Sequence, residues 1–155
     1  MKKIVIMSDN HGQDMMLEYV REAEENVDYF IHCGDSEASY KELLRGYICV
    51  KGNNDWSLNL PSDVKMEIEG HSILITHGQR FGYFNREYAM HDVLTRNQCD
   101  ILFCGHTHMP MFIQEGKYTF INPGSTSLPR GGSVRSYAVV YIDKEHVTCE
   151  FKQIK

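Results

Sequence analysis

Two short stretches of the sequence each carry a pair of side chains that commonly bind metals. Asp9 and His11 form one pair, and His106 and His108 form the other, each with a single residue between its members. On extended backbone, side chains at i and i+2 point to the same side, whereas on a helix they diverge. Imidazole is the commonest protein metal ligand. Each pair therefore predicts two ligands aimed at one place from an extended segment.

Three further metal-competent side chains follow predicted strands. Asp35 follows strand Asp28–Cys33, Asn53 follows strand Tyr47–Val50, and His77 follows a hairpin strand ending at Thr76. In open α/β sheets, ligands bind outside the carboxyl ends of the strands. Clustered His and Asp residues at such an edge are typical of metal or catalytic sites. The strand ends therefore predict one shared site.

The predicted ligand set is too large for one ion. It contains four imidazoles, two carboxylates and one amide oxygen, with no thiolate. Two ions that share one carboxylate would use this set, and Asp35, alone on its strand end, is the best candidate for the shared ligand. Oxygen and nitrogen ligands suit Mn²⁺, Fe, Co²⁺, Zn²⁺ or Ni²⁺, and they argue against a structural thiolate zinc site.

The charge of such a site indicates its substrate. Two divalent ions, the two carboxylates and one bridging hydroxide would leave a formal charge of about +1. This charge favours an anion, and metal-bound water ionises near neutral pH to supply a nucleophile. Phosphate esters fit this description.

Composition excludes several other classes of protein. The 155 residues carry a net charge of −5, which argues against proteins that coat nucleic acid or bind membrane surfaces. No apolar run is long enough to span a bilayer. The five cysteines are odd in number and include no Cys-x-x-Cys, so we expect reduced thiols and a cytoplasmic location.

Hydrophobic patterning predicts an α/β first half and a strand-rich second half. Helices are predicted over residues 14–25, Glu37–Arg45 and Arg86–Asn97, with Asn85 as a helix cap. Strands are predicted at Lys3–Met7, Asp28–Cys33, Tyr47–Val50, Val64–Glu69, Ser72–Thr76, Ile101–Cys104, Met111–Gln114, Tyr118–Ile121, Arg135–Ile142 and His146–Ile154. Two packed sheets with helices outside would bury these strands in one domain.

Five motifs in order resemble those of the calcineurin-like metallophosphoesterases, and in particular the small bacterial and archaeal phosphodiesterases of the YfcE type. They are Asp9-x-His11, Gly34-Asp35, Gly52-Asn53-x-Asp55, Thr76-His77-Gly78 and Gly105-His106-Thr107-His108. The resemblance extends from the first strand to Asn122-Pro123-Gly124-Ser125 and so covers most of the chain.

The resemblance implies a four-layer αββα sandwich, with two mixed sheets flanked by helices, over a single domain of residues 1–155. It also implies two divalent ions, often Mn²⁺, and a bridging hydroxide that attacks phosphorus. One ion would be bound by Asp9, His11, Asp35 and His108, and the other by Asp35, Asn53, His77 and His106. The catalytic positions fall on Asn54, Asp55 and His77, with Asp55 able to orient a ligand.

The sequence departs from the family pattern at two positions. Many relatives have a histidine, able to protonate the leaving group, where this chain has Asn54. An amide cannot act as that acid, so esters with poor leaving groups should react more slowly. Several relatives also have a histidine at the position of Gln79.

Several other residues have two possible roles. Three aromatic side chains either line the site or pack against the rest of the protein, namely Trp56, Tyr83 and Phe84. Asn10 either contacts substrate or stabilises a turn, and Arg130 either reaches a phosphate or is solvated.

We expect a phosphodiesterase acting on a small phosphate ester, with no stable binding to nucleic acid or membrane. A phosphomonoesterase on the same site is the first alternative. The second is a non-catalytic scaffold like the retromer subunit Vps29, and the complete ligand set favours the enzyme. Exposed edge strands would also permit a homo-oligomer.

Overall fold

Ten strands and two α-helices make up the fold, and the computed structural model describes residues 1–155. The strands are β1 (Lys2–Met7), β2 (Tyr29–His32), β3 (Tyr47–Cys49), β4 (Asp63–Ile68), β5 (His71–Thr76), β6 (Ile101–Phe103), β7 (Pro110–Glu115), β8 (Tyr118–Pro123), β9 (Ser136–Ile142) and β10 (Val147–Gln153). The helices are α1 (Met15–Ala23) and α2 (Arg86–Asn97), with 3₁₀ turns at Lys41–Leu44 and Gln79–Phe81. Neither α-helix has the length and apolar character needed to cross a membrane.

The strands form two mixed five-stranded sheets. The first has the order β10-β9-β1-β2-β3, and the second has the order β4-β5-β6-β8-β7. Strands β1, β2 and β3 are parallel, as are β5, β6 and β8. Because parallel strands end at the same edge of a sheet, the loops after them meet there.

The core consists of three apolar layers, which define the αββα arrangement. Alternate residues of a strand point to opposite faces of its sheet. Ile4 and Ile6 therefore pack between the sheets, against Ile73 and Ile75 of β5 among others. Val5 and Met7 pack on the outer face with α1, while Leu74 and Leu102 of the second sheet pack with α2. The predicted four-layer sandwich is confirmed.

Two details of the predicted helices are wrong. The expected helix Glu37–Arg45 is reduced to the 3₁₀ turn in its second half, since Glu37 has a left-handed φ of 52° and its N–H donates to Asp55 Oδ1 at 2.8 Å. Asn85 does not cap α2 with its side chain, because its own backbone is left-handed, with φ 54°. An N-cap residue normally has β-region backbone.

Glu24, directly after α1, joins the helix to the first sheet. Its carboxylate lies 3.0 Å from Lys3 Nζ and accepts a hydrogen bond from the Tyr137 hydroxyl at 2.6 Å. Burial opposes ionisation, but these two partners outweigh it and lower the pKa of Glu24. Because the pKa is lower in the folded state, this contribution to stability is present above the unfolded pKa and is lost as pH falls.

We therefore predict that Glu24→Gln lowers the free energy of unfolding by about 1 kcal/mol at neutral pH. The difference from wild type should shrink as pH falls below about 4.5, the pKa of this carboxyl in the unfolded chain. Urea unfolding of metal-free protein at pH 7 and at acidic pH measures both values. Glu25→Gln, at the exposed neighbouring residue, is the matched control and should show no difference. A pH-independent loss of stability would contradict the assigned role of the charge.

Candidate metal centre

The loops that follow β1, β2, β5 and β6 are joined by backbone hydrogen bonds. The N–H groups of Asp9 and His11 donate to the carbonyls of Gly34 and Asp35, each at 3.0 Å. In the other sheet, the Gly105 N–H donates to the carbonyl of His77 at 3.0 Å. Within each sheet, the loops after neighbouring strands are therefore held side by side.

Asp9 connects the two sheets through its buried carboxylate. Oδ2 accepts hydrogen bonds from Ser8 Oγ at 2.6 Å and from the backbone N–H of His106 at 3.1 Å. Oδ1 is fully buried and has no hydrogen-bond partner. An unsatisfied buried carboxylate oxygen is costly, so Oδ1 requires a ligand outside the protein's own hydrogen-bonding groups.

Three imidazole nitrogens face this Asp9 oxygen. The Nε2 atoms of His108, His11 and His77 lie 3.3, 3.6 and 3.7 Å from Oδ1. The Nε2 atoms of His11 and His108 are 3.1 Å apart. Two ligands of one ion at bond lengths of about 2.1 Å have a similar separation.

Asp35 and His77 form an adjoining group. Asp35 Oδ2 lies 3.2 Å from His77 Nε2 and 3.8 Å from His11 Nε2. His77 Nε2 is buried, and despite this proximity it has no partner in hydrogen-bond geometry. Asp9 Oδ1 and His77 Nε2 are thus two buried atoms, without hydrogen-bond partners, that are directed into the same space. Both are potential metal ligands, and their arrangement fits the binding of divalent metal ions.

In His11, His77 and His108, the other ring nitrogen, Nδ1, has a hydrogen-bond partner. An N–H at Nδ1 would leave the Nε2 lone pair free to bind a metal, and partners of this kind orient metal-ligating histidines. The Nδ1 partners are Glu37 Oε2 for His11 (3.0 Å), the Cys33 carbonyl for His77 (2.7 Å) and the Leu128 carbonyl for His108 (2.7 Å).

Asn53 is exposed and His106 is half-buried, and His106 lies outside the two tightest groups of acidic and histidine side chains. Asn53 Oδ1 is 3.2 Å from His106 Nδ1, while the other ring nitrogen of His106 lies 3.4 Å from the Tyr83 hydroxyl. His106 thus presents Nδ1 toward Asn53 and the site, whereas the other three histidines present Nε2.

The paired ligands converge by a different backbone conformation from the one predicted. Asp9 and His11 have φ values of 57° and 45°, and His106 and His108 have values of 76° and 61°. The expectation of extended backbone was therefore wrong. Left-handed backbone is strained in residues other than glycine and clusters at functional sites. Asp35 has φ 57° and shares this conformation.

Two glycines allow these loops to approach closely. A Cβ atom at Gly105 would collide with Ser8 Oγ and the Asp9 carboxylate, and one at Gly52 would collide with the carboxylate and backbone N of Asp35. Only glycine gives these carboxylates room at both places.

Burial and charge shift the pKa values of the cluster. Burial opposes ionisation of Asp9, but the imidazoles of His108 and His11 outweigh it and hold the pKa of Asp9 far below its usual range. Proximity to Asp9 raises the pKa of His11 to about 8. Burial, together with the positive charge of nearby His77, lowers the pKa of His106. The buried carboxylates thus attract positive charge.

Asp55 and Asn54 lie beside the predicted ligands and hold them in position. Asp55 accepts hydrogen bonds from the backbone N–H groups of Gly52, Asp35 and Glu37 at 2.7, 2.9 and 2.8 Å, so it holds the ligand loops together. Asn54 donates to both oxygens of Asp35, from its backbone N at 2.8 Å and from Nδ2 at 3.1 Å. Asn54 therefore orients the carboxylate predicted to be shared.

Asn10 has a structural role, the second of its two predicted readings. It is fully buried; its amide donates to the carbonyls of Gln13 and Ser36, and its Oδ1 lies 2.7 Å from His32 Nε2. Burial lowers the pKa of His32 to about 4. Neutral His32 then donates to Asn10 and accepts from the Gly34 N–H at 3.0 Å.

The remaining aromatic and basic residues divide into two groups. Tyr83 reaches the centre through its hydroxyl, whereas the side chains of Trp56 and Phe84 are exposed and pack against no core. Arg130 is exposed; its backbone N–H donates to the His108 carbonyl, and its guanidinium has no ion pair or hydrogen bond to protein.

Sequence reasoning identified Asp55 but missed the partners of the histidine Nδ1 atoms. Glu37 lies in a segment predicted to be helical, and the Leu128 carbonyl belongs to a loop with no chemical signature. Ser125 supports this loop, because its hydroxyl donates to the Asp9 carbonyl and accepts from the Leu128 N–H. The motif Asn122-Pro123-Gly124-Ser125, where the family resemblance ends, was the available signal.

Several known proteins match nearly the whole chain. Probable metallophosphoesterase YsnB of Bacillus subtilis is 32% identical over 96% of this chain and 89% of its own length. Phosphodiesterase YfcE of Escherichia coli is 30% identical over 90% of this chain and 88% of its own length. A predicted phosphoesterase of Streptococcus pneumoniae has a crystal structure with a TM-score of 0.90 at 34% identity, covering 98% of this chain and 89% of that one.

A more distant structural likeness extends to Vps29. A single mutant of Entamoeba histolytica Vps29 superposes with a TM-score of 0.77 at 21% identity, over 99% of both chains. At this level of identity the likeness shows the shared fold alone.

The sequence model of the calcineurin-like phosphoesterase superfamily domain matches residues 1–145. With its motifs assembled at one edge of an αββα sandwich, this chain belongs to the calcineurin-like phosphoesterase superfamily.

Proposed function

We propose that this protein is a dinuclear metal-dependent phosphoesterase that acts as a phosphodiesterase. The observation that carries the proposal is a pair of buried potential metal ligands, Asp9 Oδ1 and His77 Nε2. Neither atom has a hydrogen-bond partner within the protein. Two such atoms, less than 4 Å apart and surrounded by further ligands, match a cation site.

The ligands divide into two sets that share one carboxylate. Asp9, His11, Asp35 and His108 would hold one ion, and Asp35, Asn53, His77 and His106 would hold the other. The position of Asp35 Oδ2, within 4 Å of both His11 and His77, supports this division. We propose Mn²⁺ as the native ion, since mixed carboxylate, amide and imidazole ligands suit it, and Zn²⁺, Fe, Co²⁺ and Ni²⁺ are compatible with the same set.

When bound, the two ions would supply an activated water as nucleophile and stabilise the charge of the phosphoryl group. The residues of the chain position this chemistry. Asn54 and Asp55 hold the shared carboxylate of Asp35 and its loop, so neither is free to protonate a leaving group. Phosphate esters with good leaving groups are therefore the preferred substrates.

A formal site charge of about +1 matches the single negative charge of a phosphodiester. The 30% identity to a protein named as a phosphodiesterase supports the same choice. The acidic chain, with a net charge of −5, favours a small ester over a nucleic-acid polymer. Five unpaired cysteines favour the reducing cytoplasm as its location.

Two alternatives share the fold. A phosphomonoesterase would use the same ligands, and relative rates on a diester and a monoester separate the two activities. The Vps29-like fold allows a non-catalytic scaffold, but a scaffold would have no need for strained backbone at five of the predicted metal ligands.

We predict Mn²⁺-dependent hydrolysis of bis-p-nitrophenyl phosphate at a higher rate than p-nitrophenyl phosphate. Asp35→Asn and His77→Ala should each lower kcat/KM by at least about 100-fold, because loss of even an outer partner of a ligand costs up to that much. His146→Ala, at an exposed histidine distant in sequence, is the control and should retain activity. A folded, Mn²⁺-loaded wild type that hydrolyses neither ester would refute the proposal.

Glu37 provides a second test, since it is the only carboxylate that contacts the Nδ1 atom of a predicted histidine ligand. Glu37→Gln should weaken Mn²⁺ binding about 10- to 100-fold in isothermal titration calorimetry, because the amide supports the basicity of His11 less well. Glu42→Gln, at an exposed residue nearby in sequence, should bind as wild type does. Equal affinities for wild type and Glu37→Gln would show that Glu37 does not act on the metal centre.

A further inference from the structure

An open cleft with a volume of about 700 Å³ lies between the start of α2 and the start of β7. Its walls are mainly apolar and aromatic and include Tyr83, Tyr88, Met109, Met111 and Ile113. Tyr83, Tyr88 and Met109 are 66%, 74% and 42% exposed. Exposed apolar side chains grouped around a cavity are typical of a ligand site.

The cleft adjoins the metal centre at His106. The Tyr83 hydroxyl lies 3.4 Å from His106 Nε2, and the rings of these residues have centroids 5.9 Å apart. Thr107, between the predicted ligands His106 and His108 in the chain, lines the cleft, and Met109 follows directly. A phosphate ester bound beside His106 would therefore lie next to the cleft.

The charged groups of the cleft disfavour a second anion. Arg86 lines it, but its guanidinium donates to the carbonyls of Gly78 and Gly82 at 3.0 and 3.1 Å and lies 5.3 Å from the centre of the Phe81 ring. Glu87 is an exposed carboxylate on the same wall. The cleft thus offers no free cation.

The apolar groups of the cleft suit a flat ring. Tyrosine side chains present planar faces for stacking, and methionine sulfur makes favourable contacts with aromatic rings. The Met109 side chain lies against Gly131, since a Cβ atom there would clash with its sulfur. An aromatic substituent would contact apolar and aromatic side chains on both sides of the cleft.

We propose that this cleft is a specificity subsite that binds a planar, uncharged aromatic group of the phosphate ester. The inference rests on the proposed function, because the metal centre is what places the phosphate next to the cleft. An aryl ester and a nucleoside ester share the required ring, and the experiment separates them.

The test compares phenylphosphonate with methylphosphonate, which have the same anionic group and resist hydrolysis. Isothermal titration calorimetry of the Mn²⁺-loaded full chain should give a Kd at least about fivefold lower for phenylphosphonate. Tyr88→Ala and Met109→Ala should bring this ratio below about twofold with the methylphosphonate Kd unchanged. Tyr141→Ala, an exposed tyrosine on β9, is the matched control and should keep the wild-type ratio.

Each other result has a defined meaning. Equal affinities of wild type for the two phosphonates would overturn the subsite and leave the phosphate site intact. Failure to bind either would overturn the proposed function together with the subsite. A wild-type dimer in sedimentation that Tyr88→Ala abolishes would assign the cleft to a second copy of the chain and overturn the subsite. Tighter binding of a nucleoside 5′-phosphonate than of phenylphosphonate would support the subsite and identify its ring as a nucleobase.

Discussion

The carboxylate of Asp9, buried between two β-sheets with one oxygen unpaired, is the constraint on which the site depends. Its Oδ2 accepts hydrogen bonds from both sheets, from Ser8 after β1 and from the His106 backbone after β6. Its Oδ1 faces three imidazoles and nothing that donates to it. A buried anion in this position is stable only with positive charge beside it. The surrounding histidines partly supply that charge, and a bound cation would supply it fully.

The fold stabilises a site that would not form by itself. Five of the predicted ligands have left-handed backbone, which is unfavourable for residues other than glycine. Continuous buried strands on both sides offset this strain. β1 contributes side chains to the layer between the sheets and to the layer under α1, so its end cannot move independently. Dense packing of the strands therefore stabilises the strained backbone of the loops that follow them.

The sequence could predict the architecture because hydrophobic periodicity and strand-end motifs are local properties. α2 was predicted with the bounds that the structure shows, and every predicted strand is present. The segment Glu37–Arg45 was misjudged because Asp55, distant in sequence, binds the Glu37 N–H and holds its backbone in a left-handed conformation. Tertiary contacts of this kind override helix propensity.

The sequence could predict which residues are the potential metal ligands, but it could not predict which groups orient the histidines. Asp9, His11, Asp35, His77 and His108 converge as their motifs indicated. The carbonyls of Cys33 and Leu128, which receive the N–H groups of two ligating histidines, have no signature because every residue has a carbonyl. The cleft beside Tyr83 was equally hidden, since it forms only when α2 packs beside β7.

A crystal structure of the protein soaked with Mn²⁺, with anomalous scattering data, tests the central claim most directly. The account predicts two anomalous peaks about 3.5–4 Å apart. Both should lie within bonding distance of the Asp35 carboxylate, one beside His11 and His108 and the other beside His77 and His106. A single peak at full Mn²⁺ occupancy, or two peaks that share no carboxylate, would contradict a dinuclear centre built around Asp35.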